Sequence, residues 1–336
     1  MVVSLTNRLF QSAKHLLFIT LFIFFFASCE KKTSQIQFGG EIQGTYYKLT
    51  YYDSQGRNFH TSVDSLLHNF DLTASLWVKN SMLSRVNNND TTLRVNDDFV
   101  KLFLESKRIY DLTDGAFDPS IGAIVNVWGF GNYERQDVNK ELIDSLMQFS
   151  KFDFLELRDK QIIKKDSRLK FDFNAIAQGY SVDLVGDLLH QKGIHNFLID
   201  IGGELLASGY KPHHKLWTVG IEKPQENASY GEALQTKIKL TDKAIATSGS
   251  YRKFYEKDGI KYAHTIDPKT AYPVTHNLLS ASVITKNCIT ADAIATALMV
   301  MGPDKARRFA EQHPEFQVYL ISSDEHGGYT IYSTIE

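Results

Sequence analysis

The sequence predicts an α+β fold, a single domain of mixed sheets and packed helices. Strand-like and helix-like segments are mixed along the chain without the strict alternation of a doubly wound parallel sheet. Apolar residues make up 43% of the 336 residues and charged residues 23%, which is typical of a globular protein with a substantial core. We find no internal repeat, no low-complexity tract and no obvious linker after residue 40, so we expect one continuous domain.

Hydrophobic periodicity assigns the individual elements. β-prone apolar patterns predict strands at residues 45–52, 197–201, 217–221, 282–285 and 318–321. Apolar residues at helical spacing predict helices near 63–70, 96–112, 142–147, 176–189 and 291–301, with a further helix after Gly302-Pro303. Asn96, followed by two aspartates, has the pattern of an N-cap residue with acidic residues in the first helical turn.

Charge and motif content argue against several classes of function. Lys and Arg (37) do not exceed Asp and Glu (39) and the net charge is −2, so we expect no nucleic-acid partner. The chain has neither a GxGxxG fingerprint nor a GxxxxGK[ST] loop, and neither a GxSxG nor an HExxH motif. Its two cysteines form neither a disulfide framework nor a CxxC metal motif.

The N-terminus has the features of a bacterial lipoprotein signal peptide. Arg8 and Lys14 precede an apolar run at 16–27, which is too short for a transmembrane helix of about 20 residues. Small residues then precede Cys29, as in a bacterial lipobox, and this arrangement predicts cleavage after residue 28 and lipidation of Cys29. An uncleaved membrane anchor and an ordinary signal peptide are the alternatives.

These features divide the chain into three predicted segments. Residues 1–28 form the lipoprotein signal peptide, residues 29–40 a polar, lipidated tether, and residues 41–336 the folded domain. We therefore expect the protein at the periplasmic face of a bacterial membrane, held there by its lipid anchor. The sequence does not distinguish the inner from the outer membrane.

Two oxygen-bearing side chains suggest a site for a hard cation. Asp292 and Thr296 are four residues apart on a predicted helix, so both project from the same face. Carboxylate and hydroxyl oxygens suit Mg²⁺ or Ca²⁺ better than Zn²⁺. The alternative is that Asp292 only stabilises the first turn of its helix.

Four further segments contain candidate residues. His264 lies near Asp267, and a histidine is well suited to act as a general base near neutral pH, although it could equally be structural. The segments 115–120 and 128–131 combine glycines with aromatic residues that could stack on a planar ligand or simply form turns and core. The paired glycines of 200–204 permit close approach of a ligand to the backbone, or form a bulge.

Nine motifs, taken in chain order, resemble those of the ApbE family, the periplasmic FAD:protein FMN transferases. They are Gln43-Gly44-Thr45, the run Ser75-Leu76-Trp77 leading to Ser84-Arg85-Val86-Asn87, GAFDPS from Gly115, WGFG from Trp128, DFNAIAQGYSVD from Asp172, DIGGE from Asp200, ATSGSYRKF from Ala246, HTIDPKTAYPV from His264 and TADAIATALMVMG from Thr290. Each motif alone is moderately specific, but nine in family order over residues 43–302 are highly specific.

The resemblance implies an α+β fold particular to this family, with FAD and Mg²⁺ in a cleft. It implies that Asp292, Thr296 and the backbone carbonyl of Ala175 hold the metal. Implied contacts to the flavin substrate fall on Gln43, Trp77, Ala116, Phe117, Asp118, Asp172, Gln178 and Ile266. The family reaction transfers FMN from FAD to a Thr or Ser hydroxyl of a target protein and releases AMP. His264 is then the candidate base. Asp292 is the second candidate catalytic residue, because it would hold the metal.

Three residues depart from the family pattern. Gln178 replaces a common Lys, which removes a positive charge but keeps a hydrogen-bond donor. Ala271 replaces the usual Gly, which disfavours a positive φ at that position. Gln43 replaces a frequent Met, so its contact with the flavin is expected to change.

Two other functions compete with flavin transfer. A metal-dependent FAD pyrophosphatase would use water in place of the protein hydroxyl and would need nearly the same residues. A non-catalytic FAD-binding lipoprotein would need neither His264 nor the Asp292–Thr296 pair, so the presence of all three argues against it. The family association suggests membrane redox subunits as acceptors, such as those of sodium-pumping quinone reductases.

Overall fold

The computed structural model describes residues 33–131, 135–225, 233–250, 254–257 and 260–335. The predicted signal peptide, Cys29 and the first residues of the predicted tether lie outside these ranges. No described helix is both long enough and apolar enough to cross a bilayer.

Helices and strands alternate irregularly along the described chain, as expected for an α+β fold. The helices are α1 (His60–Ala74), α2 (Met82–Asn87), α3 (Asp97–Leu112), α4 (Gly122–Val127), α5 (Lys140–Met147), α6 (Ala177–Gln191) and α7 (Cys288–Gln312). The strands are β1 (Ser34–Ile42), β2 (Thr45–Asp53), β3 (Leu155–Arg158), β4 (Gln161–Lys164), β5 (Phe197–Ile201), β6 (Glu204–Ser208), β7 (Trp217–Glu222), β8 (Leu234–Leu240), β9 (Lys243–Gly249), β10 (Phe254–Lys257), β11 (Ile260–Ala263), β12 (Leu278–Thr285), β13 (Gln317–Ser323) and β14 (Tyr329–Ser333).

An eight-stranded antiparallel sheet forms the centre of the molecule. Its strand order is β1-β2-β5-β6-β9-β12-β13-β14, and the strand pairs β3–β4, β7–β8 and β10–β11 form separate hairpins. Strands β1 and β2, β5 and β6, and β13 and β14 are paired neighbours in both sequence and sheet, and β9 lies between β6 and β12. The β5–β6 turn therefore lies near the middle of one end of the sheet.

Side-chain alternation gives the sheet two differently covered faces. In β2, Tyr47, Leu49 and Tyr51 belong to the large core that the helices cover. From the other face, residues of β6, β9, β12 and β13 pack against the β7–β8 hairpin in a second, smaller core. We refer to these as the helix side and the hairpin side of the sheet.

The predicted α+β fold is confirmed, and so are the principal elements. Asn96 caps α3 as predicted, because its side chain accepts a hydrogen bond from the backbone N–H of Phe99 at 2.9 Å. The continuous assignment of α7 contains a break at Gly302, whose φ of 74° is not helical, so two helices meet there as the sequence predicts.

The predicted tether of residues 29–40 is longer than the structure allows. Ser34–Ile42 form an edge strand that pairs with β2 along its whole length, from Ser34 with Asp53 to Ile42 with Thr45. Most side chains of β1 are exposed, so its polar composition resembles that of a linker although its backbone belongs to the sheet. The ordered domain thus begins by Ser34.

Candidate functional site

A cleft of about 1340 Å³ opens at the end of the sheet where β5 turns into β6. All twelve residues to which the sequence assigns catalysis, flavin contact or metal binding line this one cleft. They are Gln43, Trp77, Ala116, Phe117, Asp118, Asp172, Ala175, Gln178, His264, Ile266, Asp292 and Thr296. Residues separated by up to 253 positions in the sequence are therefore brought to a single site.

The hydrogen bonds around Asp292 leave ligand oxygens without donors. Its Oδ2 accepts from the backbone N–H of Gly179 at 2.9 Å. In a regular α-helix, the N–H of Gly179 would donate to the carbonyl of Ala175, four residues earlier. Because Gly179 donates to Asp292 instead, the Ala175 carbonyl and Asp292 Oδ1 have no hydrogen-bond donor among the described residues.

Thr296 adds a hydroxyl one turn further along α7. Its Oγ1 is hydrogen-bonded to Ser248 Oγ in β9 at 3.0 Å, which fixes the orientation of its side chain. A carboxylate, a hydroxyl and a carbonyl oxygen at one site are the donor types that Mg²⁺ and Ca²⁺ prefer. Among the described residues, no group of three or more His, Cys, Asp or Glu side chains is arranged to hold a metal ion.

Close packing of α6 on α7 places these ligands. A Cβ atom at Gly179 would lie 2.4 Å from the Cys288 carbonyl oxygen and 2.7 Å from Asp292 Cβ, so only glycine permits this approach. Asp183, also in α6, accepts hydrogen bonds from the backbone N–H groups of Cys288 (2.7 Å) and Ile289 (2.8 Å). Asp183 thereby caps the first turn of α7 from the neighbouring helix.

The described lining of the cleft is strongly acidic. It contains seven carboxyl groups, those of Asp71, Asp118, Asp172, Asp200, Glu204, Glu222 and Asp292, against one lysine, Lys48. Desolvation raises the pKa of Asp292 and of Glu204, and the proximity of Asp292 raises the pKa of Glu204 further. A cation bound among these groups would stabilise their ionised forms, whereas an anionic ligand alone would be repelled.

The predicted flavin contacts occupy the helix side of the cleft. Gln43 lies in the two-residue β1–β2 turn, where Gln43 (φ 53°) and Gly44 (φ 72°) have the positive φ values of a type I′ hairpin. Its Nε2 donates to Ser181 Oγ in α6 at 2.8 Å and so ties the hairpin to that helix. Phe117 is buried, whereas 65% of the Trp77 side chain is exposed and can stack on a planar ring.

Two aspartates on adjoining loops complete this side. The backbone N–H of Asp172 donates to the Pro119 carbonyl at 2.8 Å and joins its loop to the loop of Asp118. Desolvation raises the pKa of Asp118 to about 7 and that of Asp172 to about 6. Near neutral pH, each carboxyl group can therefore exchange a proton or accept a hydrogen bond from a ligand.

The loop of His264 contributes a further part of the cleft lining. The rings of His264 and Phe130 are arranged edge to face, with centroids 6.3 Å apart. The following turn is held by the bridge between Ile266 and Pro273 and by Trp128, whose Nε1 donates to the Ala271 carbonyl at 2.8 Å. Trp128 is buried, so this aromatic residue supports the loop and is not among the residues lining the cleft.

The three departures from the family pattern have structural consequences. Gln178 Nε2 donates to the Ile201 carbonyl at 3.0 Å and to Glu204 Oε2, so its donor groups are already engaged within the protein. Ala271 adopts a φ of 62° despite its Cβ, and it is fully buried. Gln43 contacts α6 rather than packing as an apolar side chain.

Sequence reasoning missed four residues that shape the site. Glu204, Ser248 and Gly179 lie within quoted motifs, but their roles depend on partners distant in sequence. Asp183 lies in the same motif as Gly179, and nothing local indicates that it caps another helix. Only the motif membership itself could have drawn attention to them.

Fold and site together define a class: single-domain α+β proteins with an acidic cleft suited to a hard cation and a ligand with an aromatic part. A model of the ApbE family matches residues 43–320. The FAD:protein FMN transferase of Vibrio cholerae is 34% identical over 307 residues, which cover 89% of this chain and 91% of that protein. The transferase of the same name from Haemophilus influenzae is 34% identical over 315 residues, covering 90% of each chain.

Solved structures agree with these relatives. The flavin transferase ApbE from Vibrio cholerae matches with a TM-score of 0.79 and 33% identity, over 90% of this chain and 97% of that one. The apo form of the flavinyl transferase ApbE from Pseudomonas stutzeri matches with a TM-score of 0.80 and 31% identity, over 90% and 95%. The chain belongs to the ApbE family, as its nine motifs predict.

Proposed function

We propose that this protein is an Mg²⁺-dependent FAD:protein FMN transferase, which attaches FMN from FAD to a Thr or Ser hydroxyl of an acceptor protein and releases AMP. The activity is the one by which its relatives are named. The observation that carries the proposal is the donor set in the cleft. The Ala175 carbonyl and Asp292 Oδ1 have no donor among the described residues and lie in the same cleft as Thr296 and His264.

The reaction requires one bond to form and one to break. The acceptor oxygen forms a bond to the phosphorus of the FMN half of FAD, and the bond from that phosphorus to the bridging oxygen breaks, so AMP leaves with that oxygen. His264 takes the proton of the acceptor hydroxyl in this scheme. Asp292, Thr296 and Ala175 would hold Mg²⁺, which when bound neutralises the pyrophosphate and polarises the phosphorus.

Aromatic and apolar groups would orient the flavin half. Trp77 is exposed and available for stacking, and Phe117 and Ile266 provide buried apolar surface in the same cleft. The acidic lining explains why a cation is required, since the pyrophosphate would otherwise approach seven carboxyl groups. With water in place of the acceptor, the same arrangement would act as an FAD pyrophosphatase.

Anchoring at the membrane is part of the proposal. Cys29 would carry the lipid, and the domain would act at the periplasmic face on a membrane redox subunit. The support is the lipobox-like pattern before Cys29. Replacing it in Cys29→Ala should abolish labelling by a fatty-acid analogue, and equal labelling of both forms would contradict the anchor.

Intact mass spectrometry tests the proposed activity. A membrane redox subunit of a sodium-pumping quinone reductase, incubated with the enzyme, FAD and Mg²⁺, should gain the mass of FMN minus one water. Excess chelator should abolish the gain. An unchanged acceptor mass, with AMP formed in the Mg²⁺ sample and not in the chelated one, would favour the pyrophosphatase.

A further inference from the structure

The cleft continues beyond the predicted flavin and metal residues onto the hairpin side of the sheet. In β2, Tyr46 and Lys48 alternate with core residues and so project from the hairpin-side face. Leu205 of β6 belongs to the second core on that same face. We call this part of the cleft the hairpin-side arm, lined by Tyr46, Lys48, Leu205, Gly220, Glu222 and Leu234.

The two parts of the cleft meet around the β5–β6 turn. Gly202 and Gly203 lie at the bend, both with positive φ (62° and 108°), and no atom lies within 4 Å of a Cβ built on Gly203. Asp200 fixes the turn by accepting from the Gly203 N–H at 3.1 Å and from the Tyr46 hydroxyl at 3.2 Å. The hairpin-side arm therefore leads past a glycine turn toward Asp292 and Thr296.

We propose that the hairpin-side arm binds the acceptor polypeptide, as an extended segment whose Thr or Ser hydroxyl passes the β5–β6 turn to reach the site. This inference rests on the proposed transferase function. None of the twelve residues assigned to flavin, metal or catalysis lies in the arm. A two-substrate reaction needs a second binding surface continuous with the first, and the arm provides it.

Size and exposure favour a polypeptide there. The whole cleft, at about 1340 Å³, exceeds the roughly 300–1,000 Å³ of sites that enclose a single small ligand. The predicted flavin side includes deeply buried residues such as Phe117 and Ile266, whereas Lys48 is exposed and 40% of Leu234 is exposed. A segment of a folded acceptor can reach such an open surface without unfolding the enzyme.

The chemistry of the arm resembles that of a protein interface. Leu234 packs over Gly220, since a Cβ there would lie 2.5 Å from Leu234 Cδ2, and Leu205 adds a second apolar side chain to the lining. Lys48 and Glu222 add one positive and one negative group to the lining. Protein-binding surfaces usually combine apolar side chains with polar and charged ones. The acceptor segment is thus expected to place an apolar side chain against this leucine-containing part of the arm.

Thiol labelling of Leu234→Cys separates acceptor binding from FAD chemistry. Cys288 is fully buried and Cys29 is the predicted lipid attachment site, so the introduced thiol is the exposed one. Attachment of a polyethylene glycol maleimide should reduce FMN transfer to the quinone reductase subunit at least tenfold. The FAD dissociation constant should stay within twofold of that of the unlabelled variant.

The unlabelled Leu234→Cys protein controls for folding, and Leu104→Cys, an exposed leucine outside the cleft, controls for labelling. A Leu234→Asp variant should likewise raise the KM for the acceptor at least tenfold. A parallel rise in the FAD dissociation constant would overturn the inference and assign the arm to the adenosine half of FAD. Unchanged transfer after labelling would also overturn it. Failure of the unmodified enzyme to transfer FMN at all would instead contradict the proposed function.

Discussion

Asp292 is the residue on which the proposed chemistry most depends. The residue is 6% exposed, its carboxyl group accepts a hydrogen bond from the Gly179 N–H, and it is the only carboxylate assigned to the metal. The hydrogen bond fixes Oδ2 and leaves Oδ1 without a donor among the described residues. Removing this side chain therefore removes the charged ligand and also the acceptor of the Gly179 N–H, which links α6 to α7.

We expect Asp292→Ala to lose most activity, because the charged metal ligand disappears. Thr296→Val keeps the shape of the side chain but removes one oxygen, so it should weaken Mg²⁺ affinity and retain activity at high Mg²⁺. Mg²⁺ titration of FMN transfer checks both. The control is Asp304→Ala, at an exposed position of α7 beyond the break at Gly302. Full activity of wild type in excess chelator would refute the site.

His264 and Trp77 should have opposite effects when replaced. His264→Ala should lower turnover by roughly 10²–10⁴-fold with little change in FAD affinity, because a general base acts on the acceptor proton. Trp77→Ala should raise the FAD dissociation constant about tenfold, from the loss of about 1 kcal/mol of stacking. Flavin fluorescence titration and single-turnover transfer measure the two quantities. Transfer by His264→Ala at the wild-type rate with saturating FAD would make the base assignment wrong.

At the scale of elements, the site depends on how the start of α7 is fixed. Its N-cap, Asn287, makes no side-chain capping bond, and Asp183 of α6 accepts from the first two N–H groups instead. Asp292 follows one helical turn later. This contact therefore fixes where the metal ligands of α7 lie along the length of α6. The sequence predicts both helices, but the cap between them depends on tertiary packing.

Replacement of Asp183 by alanine should therefore affect both stability and metal binding. Loss of a helix cap typically costs about 1 kcal/mol and up to about 2 kcal/mol. We expect Asp183→Ala to lower the free energy of unfolding by that amount and to raise the Mg²⁺ concentration needed for half-maximal transfer. Urea denaturation and Mg²⁺ titration are the measurements, with Asp187→Ala, exposed one turn later, as control. Unchanged values for both would show that α7 is positioned by other contacts.

The elements that sequence predicts best are those with a strong apolar pattern. The α3 helix has a clear cap and a buried face, and β5 is predicted at its observed bounds. The sequence predicts a tether over 29–40 because this segment begins with a polar run, and β1 is an edge strand whose side chains are mostly exposed, so it lacks a buried apolar pattern. The short hairpin strands of β3–β4 and β10–β11 have four residues each, too few for a period to be recognised.

At the scale of the whole molecule, the site is assembled from loops far apart in sequence. Resemblance of motifs predicted which residues meet, and all twelve line the same cleft. The engagement of Gln178 by Ile201 and Glu204 could not be predicted, since it depends on the distance between α6 and the β5–β6 turn. Ala271 has the positive φ that its side chain disfavours, so loop packing overrides the local preference.

Desolvated carboxyl groups give the metal-free protein a characteristic pH dependence. The pKa values of Asp118 (about 7), Asp172 (about 6) and Asp183 (about 6) lie above the ordinary value of 3.8. Between about pH 4 and 7 the folded state thus binds more protons than the unfolded chain, so stability falls as pH rises. Asp53, with its pKa lowered to about 2 by Arg57, contributes in the opposite direction only below about pH 4.

We therefore expect the free energy of unfolding of the metal-free protein to fall as the pH rises from 5 to about 7. Each of the three aspartates contributes a fall on the order of 1 kcal/mol per pH unit, at pH values between its unfolded and its folded pKa. Asp118→Asn should give a shallower profile, because it removes the group with the highest of these three pKa values. Denaturant unfolding at a series of pH values measures the slope, and Asp304→Asn is the control. A flat or rising wild-type profile would contradict the electrostatic description of the cleft.

The most direct test of the central claim is the ratio of the two products. Wild-type enzyme, FAD, Mg²⁺ and the quinone reductase subunit are mixed, and AMP and flavinylated acceptor are quantified in the same sample by chromatography and intact mass. The account predicts one AMP for each FMN attached, no attachment after mutation of the acceptor hydroxyl residue, and the loss of most of both products with Asp292→Ala. AMP formed in large excess over attached FMN, at the same rate with or without acceptor, would contradict transfer as the function of this cleft.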